Sequence, residues 1–181
     1  MSLQHPSLER ASPAASTGRV PSPAPFGRIV VTPGLGSGPT PLAAFDSALL
    51  DAGVANYNLL CLSSVIPPGS VIERRRWRTP REDWGRRLYC VVSQMREDRP
   101  GHQAHAGIGW VHDTASGAGL FVELHGPDRD RLDGELRATL ASMQRQRGVD
   151  LGPVHTEIAS HRCTGEPVCA LVIAVYAAAP W

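Results

Sequence analysis

The sequence predicts an α+β fold, a layered sandwich of mainly antiparallel sheets with helices packed on them. Three observations carry this expectation. Only two stretches, PLAAFDSALLDAG and DRDRLDGELRATLASMQRQRG, repeat apolar residues at helical spacing. The remaining patterned segments alternate, or run apolar, over strand lengths in the order β-α-β-β-β-β-β-α-β-β. The strands come in runs instead of alternating with helices, which sets the chain apart from a doubly wound parallel sheet. With 181 residues, 42% of them apolar, the chain has enough material for one hydrophobic core.

Residues 1–26 are dominated by Ser, Pro, Ala and Gly and are expected to form a disordered extension, because they bury too little apolar area to offset ordering entropy. Residues 27–181 then make one domain. It opens on the β-branched strand RIVVT, followed by GLGSGPT, read as a glycine-rich loop. Thr40 and Pro41 supply an N-cap and an N1 proline to the first helix, whose apolar face is Leu42, Phe45 and Leu49 and whose stop is Gly53. Next come YNLLCLS, a Pro-Pro turn and SVIERR, expected as neighbouring strands joined at a tight corner. LYCVVSQM, AHAGIGWVHD and GAGLFVELHG follow as strands, the last two linked by a Thr-Ala-Ser-Gly hairpin turn. The second helix carries Leu132, Leu136, Leu140 and Met143 on one face, with aspartates at its start and arginines at its end to complement the dipole. PVHTEIASHRC and PVCALVIAVY close the chain as strands around a CTGEP turn.

Composition excludes several chemistries. Basic and acidic residues number 18 and 17, a net charge of +1, so neither a nucleic acid nor an anionic membrane is an expected partner. All the basic residues are arginine; without lysine there is no Schiff base to pyridoxal phosphate and no P-loop. Cys61, Cys90, Cys163 and Cys169 form no CxxC pair, and Cys61 reads as a buried thiol in an apolar strand. His102 and His105 lack a second ligand pair at zinc spacing, so no metal is expected. The start, MSLQHPSLERASPAAS, has no signal-peptide core, and ALVIAVYAAAP falls short of the roughly 20 residues that span a bilayer. The expected location is the cytoplasm.

The segment NYNLLCLSSVIPPGS (56–70) carries the chemistry. If Ser64 Oγ attacks the Ser63 carbonyl carbon, the peptide becomes an ester. β-Elimination then breaks the Ser64 Cβ–Oγ bond and releases Ser63 as a new carboxyl end. The dehydroalanine left at position 64 hydrolyses, losing ammonia, to a pyruvoyl ketone. A chain without lysine would thus make its own carbonyl. Such attack needs a constrained peptide, and Pro67 and Pro68 fix two φ angles while keeping Ile66 extended. Asn58 offers a side-chain amide to the tetrahedral oxygen if the chain folds back locally.

These residues bear a family resemblance. The segment from GSGPT through AFDSALLDAG to NYNLLCLSSVIPPG, with its Asn-x-x-x-x-Ser-Ser-x-x-Pro-Pro pattern, resembles the pyruvoyl-dependent arginine decarboxylases, and the likeness runs from about residue 28 to about residue 177. The resemblance implies that Ser64 becomes the pyruvoyl group and Ser63 the end of a short chain, so that residues 1–63 and 64–181 separate. It matches Asn58 to the asparagine tied to processing and to the active site, and Glu123 to the catalytic glutamate. Asp46, with Leu42 one turn earlier, is similar to the acidic position that meets the substrate guanidinium. It further implies L-arginine as substrate, agmatine and carbon dioxide as products, polyamine supply as one use, and a trimer, or dimer of trimers, with active sites between subunits. Glu123 alternates with Phe121 and His125 on an apolar strand, so burial is expected to keep its carboxyl protonated as a donor to the product Cα. Asp46 suits a planar guanidinium as a bidentate acceptor.

Taken alone, Asp46 reads equally as a solvent-facing helix residue, Glu123 as a wet sheet position and Asn58 as a turn residue. Ala55 stands where the family commonly has glycine. The rival readings are an unprocessed homologue that only binds or scaffolds, and a nucleic-acid binder working through ERRRWRTPREDWGRR.

Overall fold

The computed structural model describes residues 27–181; the expectation for residues 1–26 falls outside them. Nine strands and two helices follow in the order β1 (Gly27–Ser37), α1 (Pro41–Ala52), β2 (Asn58–Cys61), β3 (Val65–Ile66), β4 (Ser70–Arg74), β5 (Arg87–Glu97), β6 (Gln103–His112), β7 (Gly119–Gly126), α2 (Arg129–Arg147), β8 (His155–Arg162) and β9 (Val168–Ala179). One sheet has the order β2-β5-β9-β1-β4, the other β3-β7-β6-β8. Three apolar clusters show how they stack. One lies between the sheets around Ile108, Phe121, Val172 and Ala174, one holds α1 on the five-stranded sheet through Ala44, Ala48, Leu171 and Ile173, and one holds α2 on the four-stranded sheet. The result is a helix–sheet–sheet–helix sandwich, the α+β class expected.

The pairing is mainly antiparallel, but the two edge pairs of the larger sheet, β1 with β4 and β2 with β5, are parallel. YNLLCLS and SVIERR are therefore not neighbours: β2 and β4 lie at opposite edges of that sheet, and the two-residue β3 between them belongs to the other sheet. The CTGEP turn likewise passes the chain from one sheet to the other. Because β2 is an edge strand, Cys61 is exposed while its register partner Cys90 is buried.

The glycine-rich segment is strand, not loop. β1 continues through Gly34 and Gly36, and a Cβ built at Gly36 would collide with the Ala44 carbonyl oxygen and Ala48 N. Bare backbone on β1 and alanines on α1 let helix and strand approach closely, so the buried face of α1 is Ala44, Ala48, Leu49 and Ala52. Leu42, expected in the core, is 66% exposed. The helix ends are as the sequence implied: Thr40 Oγ1 accepts from Ala43 N at 3.1 Å, and Gly53 closes the helix at φ 82°. Asp128 caps α2, whose Leu132, Leu136 and Leu140 are buried.

Candidate active site

β3 carries the site out of the serine pair. Its two residues pair antiparallel with β7, Val65 opposite Leu120 and Ile66 opposite Gly119. The Phe121 amide extends this ladder by donating to the Ser64 carbonyl at 2.8 Å. Pro67, Pro68 and Gly69 then turn the chain towards β4, with Gly69 N donating to Ser116 O at 2.7 Å and Ser70 Oγ to Pro67 O at 2.7 Å. Ser64 is thus held from both sides, by β7 before the turn and by the proline corner after it.

Side chains alternate along β7. Leu120 and Val122 pack towards α2, and Phe121 lies in the core between the sheets. Glu123 shares the Phe121 face. Its Oε2 accepts from Ser64 Oγ at 2.7 Å, and its Oε1 is buried without a hydrogen-bond partner. Burial pushes the Glu123 carboxyl above the ordinary range, and the Ser64 hydrogen bond only partly offsets this. His125, the next residue of that face, is exposed.

The peptide between the serines has its own donor. Val65 N donates to the Ser63 carbonyl oxygen at 2.6 Å, closing a three-residue turn around Ser64. That bond draws charge from the carbonyl that Ser64 Oγ would attack and stands where a tetrahedral oxygen would form. Neither this N–H nor that of Phe121 has a sequence signature, since every residue but proline carries one.

Asn58 sits elsewhere within the chain. It begins the extended strand β2, so it lies roughly 10 Å along the strand from Cys61 and does not fold back on Ser63. Its Nδ2 donates to Gly85 O at 2.6 Å, and its backbone N to Arg86 O at 2.8 Å. The Arg-rich segment therefore acts as a brace for Asn58: Asp83, nearby in it, accepts from Tyr57 Oη at 2.8 Å and pairs with Arg86 at 3.1 Å. Other arginines of that segment are also paired within the chain, Arg75 with Glu73 at 3.0 Å and Arg76 with Asp51 at 2.7 Å.

Leu42 and Asp46, one turn apart on α1, are both exposed. Since α1 packs on the far face of the five-stranded sheet, a sheet layer of about 10 Å separates this face from the space between the sheets where Glu123 points. One chain brings together Ser63, Ser64 and Glu123, and leaves Asn58, Leu42 and Asp46 on its outside.

The family model for pyruvoyl-dependent arginine decarboxylase matches residues 28–179. The chain is 33% identical over 138 residues to the protein of that name from Methanothermobacter thermautotrophicus, covering 74% of this chain and 86% of the relative. It is 36% identical over 153 residues to the one from Halobacterium salinarum, covering 82% and 93%. A solved pyruvoyl-dependent histidine decarboxylase overlaps 51% of each chain at 17% identity and a TM-score of 0.41, too partial a likeness to argue from. With its matched residues running from β1 to the end of β9, the chain belongs to the pyruvoyl-dependent arginine decarboxylase family.

Proposed function

We propose that the chain cuts itself between Ser63 and Ser64 and decarboxylates L-arginine to agmatine and carbon dioxide. The observation that carries this is the contact of Ser64 Oγ with Glu123, whose second oxygen is buried and free. That orphaned acceptor, together with the backbone grip of β7 on Ser64, fits a residue 64 converted to a pyruvoyl group. The group supplies a ketone that captures the substrate amine and takes up the electrons left when the carboxylate departs as carbon dioxide.

The chain's own residues do the rest. The Phe121 N–H holds the carbonyl of residue 64 in place and withdraws charge from it. Glu123, whose proton burial holds more tightly than usual, delivers a proton to the product Cα. The exposed Asp46 and Leu42 of one copy meet the guanidinium and stem of a substrate bound to another copy, and Asn58 acts across the same boundary. The exposed Leu42, Leu50, Leu62 and Val65 supply apolar surface for such contacts, in a trimer or a dimer of trimers. The free thiols among the described residues suit a reducing compartment, the cytoplasm.

The test is a denaturing gel with mass spectrometry. Wild type should give residues 1–63 and 64–181, the longer fragment lacking a free α-amine. Ser64→Ala should stay intact and release no carbon dioxide from arginine. A wild type that stays intact while decarboxylating arginine sinks the proposal, as does equal carbon dioxide release from lysine and ornithine.

A further inference from the structure

A third polar side chain approaches the Ser64–Glu123 pair from the opposite sheet. Along β9, Ala170, Val172 and Ala174 face the core between the sheets, and Cys169, Leu171, Ile173 and Val175 face α1. Tyr176 continues the inter-sheet series. Beyond it the phase changes, since Ala178 packs with the α1 cluster although strict alternation would place it with Tyr176. The cause is a β-bulge: Tyr89 of β5 pairs with Ala177 and the next residue, Cys90, with Val175, so that Tyr176 is the extra residue. Bulges re-aim side chains next to active sites.

On that face the Tyr176 ring meets Phe121 edge-on, with centroids 6.0 Å apart and planes at 68°. Its hydroxyl donates to the Val65 carbonyl at 3.1 Å. Burial pushes the phenol's ionisation upward, so it remains a neutral donor.

Self-cleavage gives this bond a purpose. Once the Ser63–Ser64 bond opens, residue 64 is a chain end at the edge of a sheet, and strand ends fray. What still grips it is short: the two residue pairs of β3 with β7, the Phe121 N–H on the carbonyl of residue 64, and the Tyr176 hydroxyl on that of residue 65. We propose that Tyr176 is a positioning residue that clamps the chain end created by cleavage, so that residue 64 stays aligned with Glu123. This rests on the self-cleavage reading above.

Tyr176→Phe keeps the ring and removes the hydroxyl. The full chain of wild type and variant would be compared by denaturing gel, by hydrogen-exchange mass spectrometry of the peptide that begins at residue 64, and by kcat and KM for arginine. The variant should cleave, exchange about fivefold faster in that peptide and nowhere else, as expected for one lost hydrogen bond, and lose about tenfold in kcat at unchanged KM. Unchanged exchange or unchanged kcat overturns the clamp. A raised KM alone assigns Tyr176 to substrate binding and also overturns it, as does failure of the variant to cleave or faster exchange throughout the chain. If wild type itself stays whole, the self-cleavage reading falls and takes the clamp with it; the wild-type gel lane alone distinguishes that case.

Discussion

Ser64 and Glu123, 59 positions apart in sequence, meet across 2.7 Å because β3 lies on β7 in a register that puts Ser64 opposite Phe121. The pairing leaves one carboxylate oxygen buried and unpartnered. A proton donor in that position typically contributes about 10²–10⁴ in rate. Glu123→Gln should therefore lower kcat for arginine by about that factor, measured as released carbon dioxide. A loss smaller than about tenfold would move the proton transfer to another group.

The same burial predicts a pH-dependent stability. The Glu123 carboxyl titrates above its ordinary value of 4.5 in the folded chain, so between that value and the raised one the folded state binds more protons than the unfolded state. Stability is therefore full below the unfolded value and falls as pH rises through the window. Replacement by glutamine removes the penalty. Melting curves should show Glu123→Gln more stable than wild type at pH 7, with the gain shrinking at pH 4; an equal gain at both would remove burial as its cause.

Gly36 tests the close approach of β1 and α1. Alanine there drives a methyl group into helix backbone that cannot rotate away. Gly36→Ala should cost about 3 kcal/mol, the upper end for overpacking, read from urea unfolding. A cost under about 1 kcal/mol would mean that α1 rides further from the sheet.

Asp46 forms no ion pair or hydrogen bond through its carboxylate among the described residues, so its removal should leave the melting temperature alone. As the proposed guanidinium acceptor it should matter to binding. Asp46→Asn is expected to raise KM for arginine by about ten- to a hundredfold, the worth of a charge-assisted hydrogen bond. Unchanged KM would free Asp46 from that role.

The layers and both helices were legible because each rests on local rules: apolar period, Thr40 as cap and Gly53 as stop of α1, and aspartates and arginines at the two ends of α2. The extent of β1 was not, since glycine weakens a strand by propensity and only the tertiary approach of α1 explains its use. On α1 the periodicity places Leu49 in the core and Phe45 against it but misplaces Leu42 for the same reason: a large Leu42 outweighs small Ala44 and Ala48 in a periodicity count, yet a close-packed helix wants the small ones. Partners of edge strands depend on where β5 and β1 lie, which β2 and β4 do not encode. At the site, Ser63 and Ser64 stood out by type and spacing, and Glu123 through the family resemblance. Val65 and Phe121 act through backbone, and Tyr176 reaches Val65 only because the two sheets stack, 111 positions apart in sequence.

The place of β1 in its sheet decides what the proposed cleavage would do to the assembly of the two pieces. A cut at the proposed place would leave β1, α1 and β2 in the piece ending at Ser63, with β1 wedged between β9 and β4, both from the other piece. Severing the backbone therefore cannot release either half without tearing the larger sheet apart down its middle. The mature protein should migrate on a native column as an inseparable pair of polypeptides, parting only in denaturant.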